Sequence, residues 1–130
     1  TEVSYYGKID KIPVRIRPDG IKEKDYIIDI KTTSDASPRF FKSQIYNYAY
    51  HLQACFYSEA LGYDPSKFRF ISIENKYPYQ VEVYGMSNDI IEYGKNAWRI
   101  AFESWKEYLQ NSNLKGYWWE NFNNDGSLVL

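Results

Sequence analysis

The sequence has one cysteine, one histidine and no apolar run approaching the ~20 residues that a membrane-spanning helix needs. A lone Cys55 cannot form an internal disulfide, and a single thiol suits a reducing, cytosolic setting. No signal peptide is visible at the start of the chain. These absences predict a cytoplasmic protein without a membrane segment.

The chain also lacks an excess of charge of either sign, with 16 Lys and Arg against 17 Asp and Glu. Because there is no overall attraction to a polyanion, binding to nucleic acid would need a local cluster of residues. Aromatic residues are plentiful, at 14 Tyr, 7 Phe and 4 Trp, which favours a packed core. The length of 130 residues fits one domain, 1–130. Since the first residue is Thr1, not Met, we expect a fragment of a longer chain.

The most informative segment is the predicted strand that starts at Tyr26, with the sequence YIIDIK. Side chains alternate between the two faces of a strand, so Asp29 and Lys31 share one face. An ionised carboxylate among isoleucines is costly unless it is paired, hydrogen-bonded or bound to a metal. This strand is therefore the first candidate for a functional site.

Upstream, the loose alternation of apolar residues over 3–17 predicts one long strand, or two short strands with a break near Pro13. The break is expected there because proline cannot donate to the sheet ladder. The sequence RPDG at 17–20 is a turn signal. We expect the chain to return there as an antiparallel partner of residues 3–17. Such a hairpin could place Asp10 beside Asp29.

Downstream, Ser37 and Pro38 predict a helix start and Gly62 its end, giving one helix over 37–62. One face of this helix is apolar and should cover the sheet. A second, polar and aromatic stripe borders it and is the expected functional face; its members are Lys42, Tyr46, Tyr50, Gln53 and Tyr57. His51 falls on the solvent side and is interpreted as a surface histidine.

The remaining pattern predicts strands over 68–74 and 80–84 and a helix from Ser87 or Asn88 to about Asn111. Gly94 would lower the stability of that helix, so it suggests close packing against a neighbour. No structure is assigned to residues 114–130. The fold class is α/β, with a mixed central sheet of about four strands and two long helices.

Hydrolysis of a phosphodiester needs a charge clamp on the phosphate and an activated water, which Mg²⁺ held by carboxylates and carbonyl oxygens can supply. Asp10, Asp29 and the backbone carbonyl of Ile30 are the candidate ligands, and Lys31 would orient or deprotonate the water. The alternative for Asp29 and Lys31 is a salt bridge at a sheet margin. A second acid-x-Lys, Glu74–Lys76, is interpreted as an exposed strand end.

Three motifs in order resemble the PD-(D/E)XK nuclease superfamily: G-x-x-D at 7–10, D-x-K at 29–31 and Q-x-x-x-Y at 53–57. Within it, the sequence is similar to the RecB/lambda-exonuclease branch, and most similar to RecE (exonuclease VIII)-like phage exonucleases. The resemblance implies a restriction-endonuclease-like core whose first helix is missing upstream. It also implies that Asp10 and Asp29 bind the metal, that Lys31 is catalytic, and that Gln53 and Tyr57 support the site and contact DNA.

The implied activity is Mg²⁺-dependent (Mn²⁺ is an alternative) degradation of linear double-stranded DNA from its ends, 5′ to 3′, in phage-type recombination. The implied partners are DNA ends, a single-strand annealing protein and other copies of the chain in a ring, in a bacterial or prophage-encoded protein. Arg39, Lys42, Tyr46 and Tyr50 are expected to contact the DNA. Two alternatives stay open: a RecB-type single-strand nuclease module, and a non-catalytic DNA-binding or assembly domain on the same fold.

Overall fold

The structure is a computed structural model that describes residues 3–111. Residues 114–130, to which the sequence assigned no structure, lie outside the described part. The elements follow in chain order: β1 (Tyr5–Ile9), β2 (Ile12–Ile16), β3 (Gly20–Lys22), β4 (Tyr26–Thr33), α1 (Pro38–Asn47), α2 (Tyr50–Leu61), a 3₁₀ turn (Pro65–Lys67), β5 (Phe68–Glu74), β6 (Val81–Tyr84) and α3 (Asn88–Asn111). None of the helices within residues 3–111 is long and apolar enough to cross a membrane.

A four-stranded mixed sheet forms the centre, in the order β3-β4-β5-β6. β4 and β5 run parallel, with Asp29 opposite Phe70 and Lys31 opposite Ser72, while the outer pairs are antiparallel. The inner face is apolar, since Ile27, Phe68 and Phe70 are fully buried. The predicted mixed α/β sheet of four strands is confirmed, with three helices where two were expected.

The expectation that residues 3–17 pair with β4 is wrong. β1 and β2 pair with each other in a separate two-stranded sheet, and β4 pairs with the short β3. The chain reverses at Asp10 and Lys11, whose φ angles are 49° and 67°, and not near Pro13. Proline is accommodated within β2 opposite Lys8 because both strands of a two-stranded sheet are edges.

The predicted single helix over 37–62 is two helices, because the chain breaks at Tyr48 and Ala49. Ala49 adopts the left-handed conformation (φ 55°, ψ 37°), and α2 starts immediately after it. This conformation is unfavourable for a residue with a Cβ atom. The end of α2 follows the prediction, since Gly62 is left-handed (φ 75°) and its amide donates to the carbonyl of Glu59.

Because of the break at Ala49, the two halves of the predicted apolar face pack against different parts of the protein. Phe41 and Ile45 of α1 pack against the sheet, whereas Leu52 and Phe56 of α2 pack toward the β1–β2 hairpin and α3. The stripe had been expected to face the sheet along its whole length. Residues 3–111 therefore form two cores. The first lies between the sheet, α1, one side of α2 and the start of α3, and the second lies between α2, α3 and the hairpin.

α3 packs closely along α2, as Gly94 predicted. A Cβ atom at Gly94 would lie 2.6 Å from the carbonyl oxygen of His51 and 2.8 Å from Sγ of Cys55. Real Cβ atoms do not approach other atoms so closely, so only glycine allows the two helices to meet here.

Candidate metal-dependent nuclease site

β4 carries two ionisable side chains on the face that the helices cover. Asp29 is 5% exposed, and Nζ of Lys31 lies 2.9 Å from its Oδ2. The arrangement follows from the alternation of side chains along the strand. The prediction that Asp29 and Lys31 lie side by side in a buried setting is thus met by the geometry.

A second carboxylate, Asp19, joins them from the connection between β2 and β3. The backbone amide of Ile30 donates a 2.7 Å hydrogen bond to Oδ2 of Asp19. This amide is available because β3 pairs with β4 only as far as Ile28. The N–H and C=O of one residue in a strand point toward the same side, so the Ile30 carbonyl is also directed toward Asp19.

The surroundings of Asp29 leave its negative charge incompletely compensated. Burial raises the pKa of Asp29; contact with Lys31 opposes this shift, and the charge of Asp19 adds to it. Oδ2 of Asp29 is buried. It forms an ion pair with Nζ of Lys31, but the angles of this contact do not suit a hydrogen bond. Two neighbouring carboxylates that share a single lysine form a favourable setting for a divalent cation.

The donor set fits a hard cation such as Mg²⁺ better than zinc. Asp19, Asp29 and the Ile30 carbonyl offer only oxygen atoms, which Mg²⁺ prefers and usually supplements with water. Within residues 3–111 no group of three or more His, Cys, Asp or Glu side chains gathers around one point. These residues would therefore hold the cation incompletely, with water filling the remaining positions.

α2 contributes two side chains that hold Lys31 in place. Nζ of Lys31 donates a 2.9 Å hydrogen bond to Oε1 of Gln53 and lies 4.3 Å from the centre of the Tyr50 ring. Gln53 and Tyr50 share one face of α2, three residues apart. The structure thus brings the predicted Gln53 and Tyr50 to the predicted Asp29 and Lys31.

Asp10 is placed elsewhere. It occupies the β1–β2 turn, and its Oδ2 lies 3.5 Å from Arg99 and 3.4 Å from Lys106, both on α3. The proposed hairpin between residues 3–17 and β4 does not form, so Asp10 does not come beside Asp29. The position that the sequence assigned to Asp10 is taken by Asp19.

The sequence did contain a signal for Asp19. Pro18 and Asp19 form a literal Pro-Asp pair ten residues before Asp29, but they were interpreted only as part of a turn. Pro18 is fully buried, so it anchors the connection that presents Asp19 to Ile30.

The other residues predicted to support the site or bind DNA point in different directions. Tyr57 is half-buried against the first core. Tyr46 contacts His51 and Tyr93, toward α3. Arg39 and Lys42 are exposed on α1, and Lys42 lines a hollow near β6 and the start of α3. The predicted stripe assumed a continuous helix, and the break at Ala49 separates its members.

Two side chains that the sequence predicts to be exposed, those of His51 and Glu74, are buried and half-buried. His51 is 7% exposed, and burial lowers its pKa, so its interpretation as a surface histidine is wrong. Oε1 of Gln44 accepts a 2.9 Å hydrogen bond from Oγ1 of Thr33, at the end of β4. Glu74, interpreted as an exposed strand end, accepts hydrogen bonds from the amides of Ala36 and Gln80.

A search of the solved structures finds the same architecture in a protein from Eubacterium rectale that is provisionally described as an exonuclease. The TM-score is 0.61 at 12% sequence identity, with 81% of this chain and 43% of that protein covered. The chain therefore spans less than half the length of this structural neighbour. A search of curated proteins finds no match.

The fold is that of a PDDEXK-like domain. The sequence model of the family described as "PDDEXK-like domain of unknown function (DUF3799)" matches residues 1–116, so the chain belongs to this family. The superfamily inferred from the sequence motifs is thereby confirmed.

Proposed function

We propose that the protein is a metal-dependent exonuclease that hydrolyses phosphodiester bonds of linear double-stranded DNA. The observation that carries the proposal is the grouping of Asp19, Asp29 and Lys31 around the backbone of Ile30. Two carboxylates that lack full charge compensation can hold a divalent cation, and a lysine stands beside them.

Each residue has a distinct part in this proposal. Asp19 and Asp29, with the Ile30 carbonyl, would hold Mg²⁺ or Mn²⁺. Such a cation, when bound, supplies positive charge to the scissile phosphate and lowers the pKa of a bound water. Lys31 would orient that water and offset charge on the phosphate, and Gln53 keeps its ammonium group in position.

The choice of substrate is supported by resemblance. The sequence is similar to RecE-like phage exonucleases, and the structural neighbour from Eubacterium rectale carries a provisional description as an exonuclease. From the former we propose digestion from DNA ends, in the 5′ to 3′ direction, in phage-type recombination in a bacterial cell. A ring of several copies and a single-strand annealing partner are further proposals from the same resemblance.

The test is digestion of end-labelled linear double-stranded DNA with Mg²⁺, comparing wild type with Lys31→Ala. The matched control is Lys76→Ala, because Lys76 belongs to the second acid-x-Lys sequence but lies exposed in the β5–β6 turn. We expect wild type and Lys76→Ala to shorten the DNA from its ends, and Lys31→Ala and EDTA to abolish shortening. Labels on opposite ends report the polarity.

Two results would contradict the proposal. Wild-type protein that binds DNA but never cuts it with Mg²⁺ or Mn²⁺ would identify a non-catalytic DNA-binding domain. Cleavage of single-stranded DNA only would identify a RecB-type single-strand nuclease.

A further inference from the structure

A stack of two tyrosines extends outward from Lys31. The ring of Tyr50 lies against Lys31 on one side, and the ring of Tyr48 stacks on Tyr50 with 5.7 Å between centroids and 23° between planes. Tyr50 is half-buried and also contacts Phe41 and Phe70 of the core. Tyr48 is 65% exposed, so the stack is anchored in the core and ends in solvent.

This stack exists because the helix is interrupted. Side chains two residues apart on an α-helix point in nearly opposite directions, so Tyr48 and Tyr50 could not meet in a continuous helix. The left-handed Ala49 between them turns the chain and brings the two rings together. Unfavourable backbone conformations cluster at functional positions, and this one places an aromatic stack next to the lysine of the proposed site.

The exposed ring has the properties of a platform for a nucleobase. Aromatic side chains next to a cationic groove stack on unpaired bases, and such stacking is tolerant of sequence because every base has a π-face. In the proposed function, a phosphate lies beside Lys31 and the cation, on the inner side of the stack. A phosphate held near Lys31 would therefore bring a neighbouring base within reach of Tyr48.

We propose that Tyr48 stacks on an unpaired base next to the scissile phosphate, and that the site consequently prefers DNA ends with single-stranded nucleotides. This proposal rests on the proposed function, since it assumes that a DNA phosphate lies at Lys31. Tyr48 is a substrate-binding residue in this proposal, and the metal and Lys31 carry out the chemistry without it.

The test measures binding in Ca²⁺ in place of Mg²⁺, to duplex DNA with a short single-stranded overhang that contains 2-aminopurine. Stacking on tyrosine quenches this fluorescent base. We expect wild type to quench it, and Tyr48→Ala and Tyr48→Leu to bind roughly 5- to 100-fold more weakly with the quenching lost. Tyr48→Phe should bind as wild type does, because stacking needs the ring and not the hydroxyl.

The matched control is Tyr93→Ala on α3, because Tyr93 is 61% exposed and its ring contacts Tyr46 instead of a site residue. It should keep wild-type affinity and quenching. Thermal unfolding of each variant shows whether it is folded, and the comparison of Phe with Leu at position 48 keeps the test valid if Tyr48→Ala unfolds.

The outcomes separate this proposal from the proposed function. Wild-type cleavage in Mg²⁺ with no effect of Tyr48→Ala or Tyr48→Leu on binding would overturn the stacking role alone. Equal losses in Tyr48→Phe and Tyr48→Ala, or in Tyr93→Ala, would also overturn it. Binding that depends on the Tyr48 ring without any cleavage would support the platform while contradicting the nuclease.

Discussion

Two aspartates, Asp10 and Asp29, satisfy the same sequence criteria but occupy very different surroundings. The side chain of Asp10 is 46% exposed and faces two cations, Arg99 and Lys106. The side chain of Asp29 is 7% exposed and faces one cation, Lys31, and a second carboxylate, Asp19. The charge of Asp10 is exposed to water and shares its two cations with Glu59 and Glu103, whereas the charge of Asp29 is buried beside a single cation.

The surroundings of a carboxylate distinguish an ion pair that stabilises the fold from a site that can bind a cation. The cations around Asp10 link the β1–β2 hairpin to α3, and water reaches this exposed carboxylate, so its charge is stabilised without a further ligand. The buried charge at Asp29 is stabilised only in part, and an added cation would complete it. The hairpin region therefore has the contacts of a structural element, and the functional role that we propose belongs to Asp29 and Lys31 within β4.

The largest expected effect is the loss of DNA cleavage in Asp19→Asn. It is compared with Asp10→Asn, because the sequence predicted Asp10 as the metal ligand and the structure places Asp19 beside Asp29. Asp19→Asn should lower Mg²⁺-dependent DNA cleavage by at least about 100-fold, because it removes a charge that would hold the metal. Asp10→Asn should stay within about threefold of wild type, since exposed ion pairs contribute at most ~1 kcal/mol to stability. The rates are measured on end-labelled linear DNA. Equal losses in both variants would remove the distinction between the two regions.

The structural role of the α2–α3 region is tested by Gly94→Ala. The added Cβ would collide with the backbone of His51 and with Cys55, so the free energy of unfolding should fall by about 1–3 kcal/mol. Urea denaturation gives this value. The control is Gly7→Ala, because a Cβ at Gly7 meets nothing within 4 Å. A stable Gly94→Ala protein would show that the helices can separate at no cost.

Because the negative charge of Asp29 is only partly compensated, replacing Asp29 should raise the stability of the protein while it lowers activity. Without metal, Asp29→Asn should unfold at a higher temperature, by the equivalent of about 0.5–2 kcal/mol, because a buried charge is removed. The folded-state pKa of Asp29 is raised above 3.8, so its contribution to stability is present below pH 3.8 and lost as pH rises through the raised pKa. The advantage of the asparagine variant should therefore grow as the pH rises through this range.

Mg²⁺ provides the control for that measurement. Binding to the folded state stabilises wild type by RT ln(1 + c/Kd), where c is the Mg²⁺ concentration, so its unfolding temperature should rise with c, and Asp29→Asn should lose this response. Scanning calorimetry with and without Mg²⁺ measures both effects. A wild-type protein that Mg²⁺ does not stabilise, or an asparagine variant that is less stable without metal, would contradict the assignment of Asp29.

Local patterns in the sequence predicted most of the fold. Alternation identified β4 and β5, Gly62 marked the end of α2, and Gly94 indicated the contact between helices. The same alternation placed Asp29 and Lys31 on one face. These inferences succeeded because each depends on residues close together in the chain.

The errors arose where position depends on distant pairing or on one unusual residue. Nothing local shows that β1 and β2 pair only with each other, so Asp10 was chosen over Asp19. Alanine is the best helix former, and its left-handed conformation at position 49 could not be foreseen. That one residue separates Lys42 and Tyr46 on α1 from the members of the stripe on α2, where Tyr50 and Gln53 contact Lys31.

The smallest expected effect is that of Ala49→Gly, which tests whether the helix is broken at Ala49. In a continuous helix the substitution would lower stability by ~1 kcal/mol, because glycine is the more flexible residue. At a left-handed position glycine relieves the strain of the Cβ atom, so we expect the free energy of unfolding to rise by up to ~1 kcal/mol. The control is Ala101→Gly, at an exposed position within α3, which should lower it. The opposite signs follow from the conformation alone, and a loss of stability at both positions would show that α1 and α2 are one continuous helix and that Tyr48 does not stack on Tyr50.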